Sequence, residues 1–329
     1  MNISRLFFKN SVVVFFLMVL AQPCLSQSDS CCALQWKNVT DQFGPLPEAI
    51  KVFESEGTFH DSAFKAFYVA IDTKKKGIEL NTDTTLYRRL TPQAFYEKLH
   101  QPLVVVNSSF FEFKYNTNVN VVVKNGKPVS YNIHNIPGKG KDTLTYTHVL
   151  GAALGADKKG HMDIGYTYTD SSTDIVEFQS TPMLPFKDSN ATLNRQDMRL
   201  KDLTPWKVRW ANGGGPVLMR DGAIHISNNE EKKFAGKAIF DVHPRTAMGY
   251  TQEGTLIIMA VQGRMKGIAV GATLNELAIL FQQLGCYEAI NLDGGGSSCL
   301  LVNGKETIKP SDPTGQRPVP AVFYVKQTY

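Results

Sequence analysis

Cysteine is scarce in this chain: five in 329 residues, at positions 24, 31, 32, 286 and 299. None has the Cys/His spacing that closes a zinc site. No Lys/Arg cluster stands out and the formal charge is only +5, so nothing argues for a nucleic-acid partner. The seven histidines are scattered, and no G-x-S-x-G elbow is present to present a serine nucleophile. Internal repeats and low-complexity tracts are absent. The longest apolar run, over 12–21, is too short to span a bilayer.

That run follows Arg5 and Lys9 and precedes small and polar residues up to position 30, the order of charge, apolar core and polar flank of a secretory signal. Cleavage after residue 26 removes two basic residues and no acidic ones, taking the charge from +5 to +3. Gln22 and Pro23 fit a lipoprotein signal poorly, so Cys24 is not read as a lipid anchor. The expectation is an exported protein, periplasmic or extracellular, with no transmembrane helix in the mature chain. Its parts are a signal peptide over 1–26, a leader over 27–60 and a catalytic domain over 61–329. Cys286 and Cys299 flank a glycine loop, and either a disulfide or two buried thiols suits them.

Asn125-Gly126, Asp221-Gly222 and Asn303-Gly304 each separate apolar, strand-like runs, and Glu253-Gly254 is a weaker fourth case. Such pairs mark hairpins, hence extensive antiparallel sheet. Thr91 followed by Pro92 opens a helix with Phe95, Tyr96 and Leu99 on its apolar face. Thr273 with Glu276 makes a capping box for a second helix over 274–284, which Gly285 ends. Residues 138–194 read as loops with two or three strands. The fold class expected is α+β, with mixed, largely antiparallel sheets, several hairpins and flanking helices.

Four polar loops adjoin strands: VNSSFF around Asn107, ANGGGPVL around Asn212, HPRTAMGY around Arg245 and NLDGGGSS over 291–298. Three glycines in succession, twice, suit backbone that turns sharply or lets a ligand approach closely. Exposed N–H groups of Gly213, Gly214 and Gly215, or of Gly294, Gly295 and Gly296, with the hydroxyls of Ser297 and Ser298, make an anion nest. Arg245, next to Thr246, offers a fork of donors for phosphate, and Arg317 a second cation. Asp293 is the carboxylate set among the glycines; its structural reading is a turn-forming Asp. Asn107 and Asn212 either orient substrate hydroxyls or cap strand ends. Among the histidines only His243, beside the Arg245 loop, merits a test. A divalent cation held by Asp293, a loop carbonyl and Asp312 is allowed but not demanded, so no cofactor is assigned.

The motifs NGGGPVLMRDG, HPRTAMGYT, LNELAILFQQLGC, NLDGGGSS and PSDPTGQRPVPAVFYV, with Asn107 and Phe110 ahead of them, occur in one order across residues 65–326. In this the chain resembles the phosphodiester glycosidase family, which includes the enzyme that uncovers mannose 6-phosphate by removing N-acetylglucosamine from its diester. The resemblance implies hydrolysis of a sugar linked through phosphate, with a sugar-phosphate or glycan as the partner molecule. It also implies Asp293 as nucleophile or base, Arg245 on the phosphate, and an acidic residue after the aromatics, here Glu112, as second carboxylate; Asp241 and Asp312 are the other choices. Ser108 and Ser109 depart from the family pattern and are not assigned roles. Human-type members carry further disulfide-rich and membrane-spanning segments, so the resemblance is to a stand-alone, exported, bacterial-type member. Two other readings compete. One is an exported glycan-binding protein without catalysis, with Trp36, Trp206 and Trp210 as stacking surfaces. The other is an envelope phosphodiesterase or amidase.

Overall fold

A computed structural model describes residues 33–328. The signal-peptide reading and Cys24, Cys31 and Cys32 lie outside the described residues. Three antiparallel sheets dominate. An eight-stranded sheet runs, in spatial order, through Gln35–Asn38, Ile50–Glu56, Ala66–Asp72, Thr255–Val261, Arg245–Tyr250, Glu288–Asn291, Val217–Arg220 and Ala223–Ile224. A seven-stranded sheet contains Val208–Gly213 next to Gly151–Asp157, and a five-stranded sheet has Ala321–Gln327 between Val104–Asn107 and Ile78–Thr84.

The expected α+β class is therefore corrected: the described chain is mostly β. Its α-helices are Pro92–Lys98, Asn228–Glu231 and Leu274–Gln283, and every strand ladder among the described residues is antiparallel rather than mixed. The physical reason lies partly in the stretch 138–194. Its Gly, Thr and Ser residues form strands that include Tyr146–His148, Gly151–Asp157, Met162–Asp170, Ile175–Gln179 and Phe186–Asp188. These strands gain stability from cross-strand pairing and burial, not from the local apolar run that makes a strand visible in sequence.

Local chemistry explains the elements that sequence does announce. Asn125-Gly126, Asp221-Gly222 and Asn303-Gly304 all have positive φ at both residues, as tight hairpin turns require. The Thr91 hydroxyl accepts from the Ala94 N–H at 3.1 Å with Pro92 in the first turn. At the second helix, Thr273 and Glu276 form the reciprocal capping box.

The eight-stranded sheet is buried on both faces. Along Thr255–Val261, Leu256, Ile258 and Ala260 join a cluster with residues of all three sheets, while Ile257, Met259 and Val261 meet the helix Leu274–Gln283. That helix lays Leu274, Leu277, Ala278, Leu280 and Phe281 on the sheet and then delivers the chain into Glu288–Asn291. Cys286 and Cys299 are buried free thiols in separate apolar clusters. No helix among the described residues is long and apolar enough to cross a membrane.

Phe281→Ala should cost about 3–5 kcal/mol of folding free energy by opening a cavity beneath the sheet, and Thr273→Ala about 1 kcal/mol by removing one cap. Urea unfolding of both variants measures the two losses.

Candidate active site

The four polar loops come together where the strands of the large sheets end. Asn107, fully buried at the end of Val104–Asn107, ties three of them. Its Oδ1 accepts from the Thr246 hydroxyl at 2.8 Å and from the Cys299 N–H at 3.0 Å, and its Nδ2 donates to the Asp293 carbonyl at 2.6 Å. Backbone bonds continue the join: Leu292 N–H to the Thr246 carbonyl at 2.8 Å, Asp293 N–H to the Ser108 carbonyl at 3.0 Å, and Gly295 N–H to the Pro244 carbonyl at 2.8 Å. The loop after Val208–Gly213 is attached by Gly215 N–H to the Asn291 carbonyl and by Asn291 Nδ2 to the Gly215 carbonyl.

Asp293 is half-buried just past the strand Glu288–Asn291. Loss of water around its carboxyl raises its pKa to about 7, while the Ser297 hydroxyl, the Arg317 charge and the Gly294 N–H pull in the opposite direction. The glycines beside it make room for cations. A Cβ at Gly296 would collide with the Arg317 guanidinium, and one at Gly295 would press on that of Arg264. Gly294 runs against the Pro244 carbonyl and Gly214 against that of Asn291. Arg317 is held by Asp312, Nε to Oδ2 at 2.8 Å, and its Nη1 reaches the Ser297 hydroxyl at 3.5 Å. Asp312 is itself fixed by Thr314, and these bonds keep its carboxyl below the usual range.

Arg245 occupies a different position from the one its motif suggests. Its Nε donates to the Ala272 carbonyl at 2.9 Å and its Nη2 to the Asp241 carbonyl at 2.6 Å, with the guanidinium over the Phe234 ring. Burial lowers its pKa to about 10. Glu112 closes its own turn, its two oxygens accepting from the Lys114 and Tyr115 N–H groups at 2.7 Å each. Asn212 is buried, with Nδ2 at 3.6 Å from the Met248 sulfur and an unpartnered Oδ1. The hydroxyls of Ser108 and Ser298 are likewise buried and unpartnered. Gly213 packs against Asn120 and Val121.

Two cations escaped the sequence reading. Arg264 sits in QGRMKG after the strand Thr255–Val261, exposed, with Nη2 at 3.4 Å from His243 Nδ1. The glycines around it were its only local signal. Lys233 lies in NNEEKKF, a charge run that looks like a solvated helix face, yet its stem crosses Gly215 and its ammonium lies 5.6 Å from the Phe110 ring centre. His243 is half-buried; burial and the charges of Arg245 and Arg264 lower its pKa. Among the described residues no group of three or more His, Cys, Asp and Glu is arranged to hold a metal ion.

A family model described as phosphodiester glycosidase matches residues 100–326. The mouse N-acetylglucosamine-1-phosphodiester alpha-N-acetylglucosaminidase is 33% identical over 106 residues, which is 32% of this chain and 20% of that protein. A SPbeta prophage-derived uncharacterized protein of Bacillus subtilis is 44% identical over 70 residues, 21% of this chain and 11% of its own. The aligned segments thus span about a fifth or less of these relatives. In fold, the catalytic domain of the zebrafish N-acetylglucosamine-1-phosphodiester alpha-N-acetylglucosaminidase, auto-inhibited by its pro-peptide, superposes with a TM-score of 0.57. That match has 19% identity and covers 90% of this chain and 83% of the other.

Replacing Asn107 by Leu leaves the Thr246 hydroxyl, the Cys299 N–H and the Asp293 carbonyl without their partner. At roughly 1–3 kcal/mol for each buried group left unpaired, Asn107→Leu should lose several kcal/mol in stability. Urea unfolding and thermal melting follow this directly, and an unchanged midpoint would contradict the assignment of Asn107 as the junction.

Proposed function

The chain belongs to the phosphodiester glycosidase family, and from that premise we propose that it hydrolyses the glycosidic bond of a sugar 1-phosphodiester, releasing the sugar and a phosphate monoester. The observation that carries this reading is the arrangement at residues 293–297: a desolvated carboxyl beside glycines on which two guanidiniums rest. The name of the mouse relative points to α-linked N-acetylglucosamine as the first sugar to try. In the same reading residues 61–329 carry the catalysis, and the charge and apolar order of residues 1–26 marks the protein for export.

The leaving group in such a diester is a phosphate monoester, which departs without strong protonation. The site must supply negative charge opposite the developing cation at the anomeric carbon, and positive charge on the departing phosphate. Asp293 meets the first need in its ionised form. As base it takes a proton from water while the water oxygen bonds to the anomeric carbon; as nucleophile it bonds there first and water releases it. In both, the carbon–oxygen bond breaks and its electron pair leaves with phosphate. Arg317, steadied by Asp312, and Arg264 meet the second need. They replace Arg245 in that role, because Arg245 holds the Ala272 and Asp241 carbonyls beneath the loop. Arg245 and Thr246 then serve the shape of the site, and Ser297 links Arg317 to the carboxyl.

Hydrolysis of N-acetyl-α-glucosamine 1-(methyl phosphate) in oxygen-18 water, followed by mass spectrometry, tests the bond. The label should appear on the sugar; label on methyl phosphate would make the protein a phosphodiesterase, and no turnover would leave a binder. Asp293→Asn should lower kcat by about a thousandfold or more, and Arg317→Met by about a hundredfold.

The pH behaviour follows from the raised carboxyl. Activity should climb as pH rises through about 7, where Asp293 ionises. Stability should run the other way. An unfolded Asp ionises near 3.8 and the folded one near 7, so between these values the native state holds the extra proton. The stabilising contribution is complete below the lower value and lost as pH passes the upper one. Asp293→Asn should therefore be more stable than the wild type at pH 8 and little changed at pH 4. Urea unfolding at both pH values checks the sign.

A further inference from the structure

Lys233 is the cation that the proposed reaction does not use, and the fold holds it in place with unusual care. Asn228, buried, closes a ring on the following turn: its Nδ2 donates to the Phe234 carbonyl at 2.9 Å and its Oδ1 accepts from the Phe234 N–H at 2.9 Å. Lys232 between them takes a left-handed conformation. Beneath the turn, the buried Glu231 carboxylate accepts from the Val217 N–H at 2.8 Å, the Ser227 hydroxyl at 2.6 Å and the Ala152 N–H at 3.3 Å. Those donors occupy Glu231, and among the described residues no carboxylate lies within ion-pair distance of Lys233. Burial lowers the Lys233 pKa and the nearby Glu231 charge raises it. The Glu231 charge offsets part of the cost of burying this ammonium, but among the described residues its N–H donors have no acceptor, which leaves them free for an anionic ligand.

The surroundings indicate which part of a substrate that is. Gly215, at φ +122°, cannot carry a side chain because a Cβ would strike Glu231 and the Lys233 stem. Phe110 lies under the ammonium and meets Phe234 edge to face, centroids 6.4 Å apart. Both rings are half-buried. This turn borders Asp293 through the 107–110 loop, whereas Arg317 and Arg264 border it through residues 294–297. With the phosphate on the two guanidiniums, the sugar is left the side of Asp293 that Phe110 and the Lys233 ammonium border, while Phe234 is backed by the Arg245 guanidinium.

We propose that Lys233 binds an anionic substituent on the sugar itself, so that the preferred substrate is the 1-phosphodiester of an acidic sugar, such as one carrying a carboxylate at C6. This rests on the hydrolase reading above. Nothing in it requires new bond chemistry. The ammonium donates to the carboxylate, and Phe110 and the Asn228-closed turn set its position.

The test compares N-acetyl-α-glucosamine 1-(methyl phosphate) with the same diester oxidised at C6 to the carboxylate. One charge-assisted hydrogen bond in a partly desolvated site corresponds to about a 10- to 100-fold preference in kcat/KM for the acid. Lys233→Met should bring that ratio to about one, and Lys233→Arg should keep most of it. A wild type without the preference overturns the proposal even if the Met variant does not fold. So does a Met variant that loses equally on both substrates, because Lys233 would then be acting on the shared phosphate. If neither diester is cleaved, the hydrolase reading fails separately. Calorimetric binding of the two diesters then decides on Lys233, equal affinities overturning the proposal.

Discussion

One buried side chain joins three of the polar loops that make up the candidate site. Asn107 belongs to the five-stranded sheet, Thr246 and Asp293 belong to or follow strands of the eight-stranded sheet, and Cys299 lies beyond the glycine loop; a single amide bonds to all three. An amide suits this place because it accepts and donates at once. A carboxylate there would meet the Asp293 carbonyl as a second acceptor, and an apolar residue would meet three buried polar groups. The position of the Asp293 carboxyl is thus set by a bond to its own carbonyl, and the loop need not be stiff in itself.

Around that junction the structure separates two tasks that look alike in sequence. Arg245 and Arg317 are both arginines in motif-like loops, but the first is buried and donates to two backbone carbonyls, while the second is paired with Asp312 and lies over a glycine. The difference comes from what each guanidinium finds nearby. Where backbone carbonyls of two neighbouring loops lie within reach, an arginine becomes a structural clamp. Where a carboxylate holds one edge and glycine clears the other, its remaining donors stay available to an anion. Glu112 makes the parallel point for carboxylates, since two N–H groups of its own turn occupy both oxygens.

Much of the fold was legible in short-range chemistry. The Asn-Gly and Asp-Gly hairpins, the Thr91–Pro92 helix start and the Thr273–Glu276 box are all properties of neighbouring residues, and each is found at its expected place. The fold class was not, because the strands in 138–194 lack apolar runs and are stabilised by pairing, in hairpins such as Gly151–Asp157 with Met162–Asp170 and with strands outside the stretch. Gly151–Asp157, for instance, also pairs with Val208–Gly213 on its other edge. The site followed the same division. Glycine runs and an Asp among them are visible as words in the sequence, and NLDGGGSS does meet the Asn107, Asn212 and Arg245 loops in space. Which cations face that meeting place is a matter of side-chain direction. Arg264 and Lys233 are carried in loops with no strong periodicity, so no local pattern marked them.

The strand Ala321–Gln327 lies inside the five-stranded sheet, between Val104–Asn107 and Ile78–Thr84. During synthesis the strand that bears Asn107 therefore waits with both edges unpaired, because its neighbours Leu300–Val302 and Ala321–Gln327 both lie far downstream. Strict folding in step with translation does not suit this topology: the sheet that anchors the Asn107 junction is completed only when strands some two hundred residues downstream of it have been made. Until those strands emerge the nascent chain carries two open β-edges, which template pairing with other chains and so have to be shielded before the Asn107 junction can close.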